Sequence, residues 1–352
     1  MMRFRPILSH CAAMTVATAT PAFAQTAEPW AFKDAAAKLR AASCPDRDPA
    51  MTAFMALDAT VEAVRLGAPD AVAAQLPGRV RFAGGWVFDA PGPEFGGLSG
   101  LAAGPEGDLL AVGDTGRFVR IGMEDGAPDG RLSTAPMRFE TPLVKPGKLT
   151  ADAEGLDYRG GLAFVSFERN FRVLAFDLGR CGANATGVTV ANPPGRYGWT
   201  RVRANAGPEA LWLDATGTMR IAYEQPRDGR AVTGTVLSDG TVGLSDPATD
   251  PALDPGYRPV GADSTTLSDG RTVTARLFRA YDRDRGNRVR LDIEGLRGDP
   301  LVSLRLAPPL ATDNFEGVAL VEAEDALRVF LLSDDNFSDR QRTLLYRFDI
   351  AR

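Results

Sequence analysis

In Asp313-Asn314-Phe315-Glu316-Gly317-Val318-Ala319-Leu320 an acid stands immediately before a short apolar run. In Leu331-Leu332-Ser333-Asp334-Asp335-Asn336-Phe337-Ser338 a second apolar run ends on another acid. A polar turn separates the two, so the pair reads as a β-hairpin. One carboxylate opens the first strand and one closes the second. In an antiparallel hairpin those positions lie at the same end.

The same device recurs upstream. Leu98-Ser99-Gly100-Leu101 begins one copy, Asp152-Ala153-Glu154-Gly155-Leu156 the next and Gly207-Pro208-Glu209-Ala210-Leu211 a third. Gly261-Ala262-Asp263-Ser264-Thr265 is a weaker fourth, and the Glu316 hairpin is the fifth. The key positions are 99, 154, 209, 263 and 316, separated by 55, 55, 54 and 53 residues. Each copy continues into a second apolar strand, ending at Asp114, Glu168, Glu224, Arg276 and Asp334. Further strands, such as 171–178, 301–306 and 343–350, fill the remaining length. Four antiparallel strands per repeat describe a propeller blade. The fifth copy runs out after three strands, and residues 79–89 can supply its fourth, which closes the ring and removes its edges. The sequence therefore predicts an all-β fold, a β-propeller of five four-stranded blades over residues 78–352. Six blades are the alternative, if the long loops hide one.

Outside the repeats, residues 1–24 read as a secretory signal peptide. Arg3 and Arg5 precede an apolar, small-residue run, and Ala22-Phe23-Ala24 forms a cleavage site. The expected location is periplasmic or secreted, with no membrane insertion after cleavage and a monomeric state. Residues 25–77 are Ala-rich, with helical spacing over 30–41 and 48–66, and predict a short helical N-terminal segment. The net charge of −5 and the lack of a basic patch argue against a nucleic-acid partner. Cys44 and Cys181 remain after cleavage. In an oxidising compartment they form a disulfide, or else they are two buried thiols.

The sole histidine, His10, leaves with the signal. That excludes Ser-His-Asp and Cys-His catalysis and histidine-ligated zinc. Ser99 is no nucleophile elbow, because Gly97-Leu98-Ser99-Gly100 lacks the G-x-S-x-G spacing. In a propeller the first strand of each blade lines the central channel. Ser99, Glu154, Glu209, Asp263 and Glu316 then form an inner ring at one mouth. Asp114, Glu168, Glu224, Arg276 and Asp334 form a second ring beside it. Two unit charges 4 Å apart repel by about 4 kcal/mol at an effective dielectric near 20. Such a group must protonate, pair with arginine or hold a cation. With oxygen ligands alone, Ca2+ is the favoured guest. Glu154, Glu209, Asp263, Glu316 and Asp114 are the candidate metal ligands, and Glu168, Glu224 and Asp334 the candidate catalytic carboxylates. Arg169 with Arg172, and Arg340 with Arg342, are candidate phosphate clamps, or else ordinary solvated charges. The plainer reading of the acids is structural, as acceptors for the next blade's backbone or partners for Arg117, Arg169, Arg276 and Arg279.

Several of these stretches resemble the phytase-like propeller family labelled "esterase-like activity of phytase". They are Phe95-Gly96-Gly97-Leu98-Ser99-Gly100-Leu101 with Leu109-Leu110-Ala111-Val112-Gly113-Asp114, and Asp152-Ala153-Glu154-Gly155-Leu156 with Val165-Ser166-Phe167-Glu168-Arg169. Asn205-Ala206-Gly207-Pro208-Glu209-Ala210-Leu211 and the closing Glu316 and Asp334 segments complete the set. The pattern departs at Gly113 and Thr115, and at Thr274-Ala275-Arg276 where the family tends to show Leu-Glu-Arg. The resemblance spans residues 79–352 and implies ester or phosphoester hydrolysis by an exported protein acting on a small molecule. The rival readings are a non-catalytic periplasmic propeller that binds a ligand or protein, and a lactonase- or carboxylesterase-like metal enzyme.

Overall fold

The structure, a computed structural model, describes residues 27–44, 53–140, 148–298 and 301–352. The expected signal peptide lies outside the described residues. Five antiparallel sheets are arranged as the blades of a propeller. Blade one runs Leu98–Ala103, Leu109–Gly113, Arg117–Glu124 and Ala127–Pro136 from the axis outward. Blade two runs Ala153–Arg159, Leu162–Phe167, Arg172–Asp177 and Thr186–Ala191. Blade three is Pro208–Leu213, Met219–Arg227, Arg230–Val236 and Val242–Leu244, and blade four Arg258–Thr266, Thr272–Asp282, Gly286–Glu294 and Leu301–Leu306. Blade five combines Phe315–Glu322, Ala326–Ser333 and Thr343–Ala351 with Val80–Asp89 from the other end of the chain. That last strand pairs antiparallel with Thr343–Ala351, which joins the two ends of the ring by backbone hydrogen bonds.

Each innermost strand carries a bulge at the same place, between Leu98 and Gly100, Pro208 and Ala210, Pro259 and Gly261, and Phe315 and Gly317. In blade two Glu154 and Gly155 sit opposite Ser166 in the same way. A bulge re-aims the extra residue, and here that residue is Ser99, Glu154, Glu209, Val260 or Glu316. The residue after it is glycine in four blades, because the next blade's backbone is too close for a side chain. A Cβ on Gly155 would lie 2.5 Å from the Glu209 carbonyl oxygen, and one on Gly261 2.3 Å from that of Glu316.

The segment before the first blade differs from the expected helical appendage. One helix, Phe32–Ser43, does form, burying Ala36, Leu39 and Ser43. It is anchored by Trp30 and Phe32 edge-on to Phe164 and by a Cys44–Cys181 disulfide to blade two. Of residues 48–66, expected to be helical, 48–52 lie outside the described residues, and 53–66 instead contribute two short strands. Met55–Leu57 extends the outer edge of blade one, and Thr60–Ala63 extends that of blade five. Tertiary pairing overrides local propensity here, since the exposed edges of those blades offer backbone partners. A short helix, Pro69–Gln75, then docks on blade four, where the Gln75 amide bonds both backbone groups of Ala307. The segment is a strap around the ring.

Candidate metal centre at the channel mouth

The bulges fix which side chains converge. Beside four of the bulges, a residue at or just past the facing end of the second strand donates its N–H back to the chain two residues before the bulged one. Asp114 bonds Gly97, Glu168 bonds Asp152, Glu224 bonds Gly207 and Asp334 bonds Asn314, at 2.9 to 3.0 Å. In blade four the corresponding pair is Arg258 and Arg279. The ring members of blade four are therefore Val260 and Arg279, not Asp263 and Arg276. The sequence alignment of that copy was three residues out of frame. Asp263 lies further along the channel, where its Oδ2 accepts the Leu320 N–H at 2.7 Å. Arg276 pairs with Glu294 at 2.7 Å, away from the mouth.

Asp114, Asp152, Glu154, Glu168, Glu209, Glu224, Glu316 and Asp334 are all buried at this mouth. Four cations answer part of that charge. Arg279 reaches Glu316 at 2.9 Å and Glu224 at 3.9 Å, and Arg258 bonds Glu224 at 3.1 Å. Lys148 contacts Asp114, and Arg169 bonds Asp152 at 2.6 Å. Arg169 holds φ at +57°, in the left-handed region that a non-glycine residue rarely occupies. Among the described residues no ion pair joins Glu154, Glu168 or Glu209 to a cation. Those three each place an oxygen within 4.8 Å of the others, as do Asp114, Asp152 and Glu154. Glu154 belongs to both groups. The Oδ1 of Asp152 is buried with no hydrogen-bond partner.

The electrostatics follow from burial and like charge. Burial, then the charges of Asp114 and Glu316, pushes Glu154 well above the usual carboxylate range. Burial, then the charges of Glu154 and Glu224, does the same to Glu209. Glu168 is raised to about 7, chiefly by burial, against a hydrogen bond with Glu209. Asp334 is raised by burial and by Glu316, although the Asn336 N–H at 2.6 Å favours its charged form. Burial lowers Arg279, but Glu316, Glu224 and Glu209 outweigh it and the net shift is upward. A carboxyl whose folded pKa is raised stabilises fully below its unfolded value and loses that contribution as pH climbs through the folded one. In chelator, the melting temperature should therefore fall between about pH 5 and pH 8, and excess Ca2+ should remove the fall. A flat profile in chelator would contradict this electrostatic picture.

The signature around Asp334 separates into distinct tasks. Asp334 joins the mouth, while Asp335 welds blade five to blade one, accepting the Gly97 N–H at 2.8 Å and the Thr343 hydroxyl at 2.9 Å. Phe337 covers Gly96 and Gly97, whose φ values of +117° and +60° suit glycine. The proposed clamps scatter. Arg169 is at the mouth, but Arg172 stacks over Phe167 at 4.3 Å and bonds the Thr150 carbonyl. Arg340 is exposed, and Arg342 approaches Asp313 at 3.7 Å. Asp152, Lys148, Arg258 and Arg279 are mouth residues that the sequence analysis did not single out as site residues.

A model of the family described as phytase-like, esterase-like activity of phytase, matches residues 93–337, more than half of the chain. No curated protein sequence matches it. Similar solved structures include the PQQ-bound aldose sugar dehydrogenase of Streptomyces coelicolor, at 14% identity and TM-score 0.41, covering 85% of this chain and 100% of that one. Another is the endo-arabinase of Bacteroides thetaiotaomicron VPI-5482, at 10% identity and TM-score 0.44, covering 72% and 93%. Neither likeness carries an argument about this chain.

Proposed function

Because this chain belongs to the phytase-like family, we propose that it is an exported hydrolase of small phosphate esters working with Ca2+ at the acidic channel mouth. The observation that carries this reading is the convergence of Glu154, Glu168 and Glu209, buried, within 4.8 Å of one another and in no ion pair among the described residues. The residues fit a hard cation. All donors are oxygens, and the buried Oδ1 of Asp152, which has no hydrogen-bond partner and only Lys148 at 3.9 Å, adds another. Glu154, Glu168 and Glu209 would hold the ion, with Asp114 and Asp152 flanking it. A divalent cation held there supplies Lewis-acid polarisation of a phosphoryl oxygen and lowers the pKa of bound water.

The chain's own residues do the rest. Lys148, Arg169 and Arg258 are partly exposed and bring positive charge to the rim, where phosphate oxygens can be oriented. Asp334 is held by the Asn336 N–H and faces the Asn314 amide at 3.3 Å. With its raised pKa it is suited to exchange a proton with the leaving oxygen. The disulfide and the N-terminal signal pattern support export.

The test is turnover of p-nitrophenyl phosphate by purified protein, after chelation and with Ca2+ added back. Phosphate release that requires the ion is expected. Turnover of carboxyl esters or lactones alone would replace the phosphate assignment, and turnover of none of these would leave a binding propeller.

A further inference from the structure

The inner strands of blades two and four carry a second pair of equivalent acids, remote from the mouth. Asp157 stands three residues after Glu154, and Asp263 three after Val260. Each gives its Oδ2 to the next blade, and the Oδ1 of Asp263 also accepts the Ser264 N–H at 2.7 Å. Asp157 accepts the Leu213 N–H at 2.8 Å, and Asp263 the Leu320 N–H at 2.7 Å. Both line a cavity of about 320 Å3 at the opposite end of the channel, with Ala103, Arg159, Ser264 and Thr265.

Three observations point to an occupant. The Oδ1 of Asp157 is buried and has no hydrogen-bond partner, although the residue is only 3% exposed. An orphaned carboxylate oxygen at that depth is costly unless something meets it. The Arg159 guanidinium does not bond it. It donates instead to the carbonyls of Leu213, Asp214 and Ser264 at 3.0, 3.3 and 3.4 Å. Two acids against one arginine leave the cavity negative. The volume exceeds a bare ion and suits one that keeps several waters of about 30 Å3 each.

We propose that the end of the channel opposite the acidic mouth is a second, independent site for a hydrated divalent cation, with the Asp157 and Asp263 carboxylates as its anionic ligands. Thr265 also lines the cavity, and waters rather than further protein ligands complete the shell of a hard ion beside the Arg159 guanidinium. The site does not depend on the hydrolytic reading of the mouth. Its ion ties blade two to blade four across the axis.

Calorimetric titration of metal-free protein with Ca2+ alone tests this. Wild type should show two classes of site. Asp157→Asn should lose one bound ion per chain, or weaken it by at least about 100-fold, while calcium-dependent phosphate release persists. Asp263→Asn provides a second variant should Asp157→Asn fold poorly; its amide oxygen keeps the Leu320 N–H and gives up the Ser264 N–H. Glu154→Gln should lose the other class and keep this one. If folded Asp157→Asn and Asp263→Asn bind as many ions as wild type, the second site is overturned, whatever Glu154→Gln does.

Discussion

Glu154→Gln is expected to lower calcium-dependent hydrolysis by at least about 100-fold, the scale of losing a metal ligand or a main electrostatic contact. Glu154 is shared by both oxygen groups at the mouth, so no other single substitution removes a donor from each. The change is nearly isosteric and keeps one carbonyl oxygen, so packing is preserved. It also removes a negative charge repelled by Asp114, Glu316, Asp152 and Glu168. The melting temperature in chelator at pH 8 should therefore rise while activity is lost. That combination separates a ligand from a scaffold residue, since loss of a scaffold residue would lower both. Full activity in a folded Glu154→Gln would remove Glu154 from the centre.

Arg279→Met should cost about 3–5 kcal/mol at neutral pH, the usual penalty for breaking a buried ion pair from one side. Among the described residues Arg279 alone makes an ion pair with Glu316; it reaches Glu224 as well, and it lies deep among the carboxylates. Without it Glu316 must protonate or stay unpaired. The raised pKa of Glu316 makes the penalty largest above the folded value and small below the ordinary carboxylate range, so it should shrink toward pH 5. Arg276→Met is the matched control. Arg276 pairs with Glu294 at a partly exposed site, and such pairs contribute about 0–1 kcal/mol. Urea melts of both variants at pH 7.5 and pH 5 decide between the two frames for blade four. Equal effects would restore Arg276 to the ring.

Acids marked the copies, and blade four has no acid at its bulge. Val260 stands there, and Asp263 three residues later preserved a nearly even spacing. Gly261 held the correct frame, because the residue after each bulge must clear the next blade's carbonyl oxygen. With that frame, Leu277-Phe278-Arg279 takes the place of the divergent Thr274-Ala275-Arg276. Elsewhere the five-blade ring and most of the carboxylates are legible, because each repeat must bury one apolar strand and turn back. Lys148 is not, since it reaches Asp114 from 34 residues away. The two strap strands, Met55–Leu57 and Thr60–Ala63, are not legible either. Their Ala- and Leu-rich stretch has helical preference, and they exist only because distant blade edges accept them.

Anomalous difference density from crystals grown with calcium, collected at long wavelength, shows whether the three converging glutamates hold a cation. A peak is expected at the acidic mouth within coordination distance of Glu154, Glu168 and Glu209. An empty mouth at saturating calcium, with those carboxyls hydrogen-bonded to one another, would rule out their role as ligands.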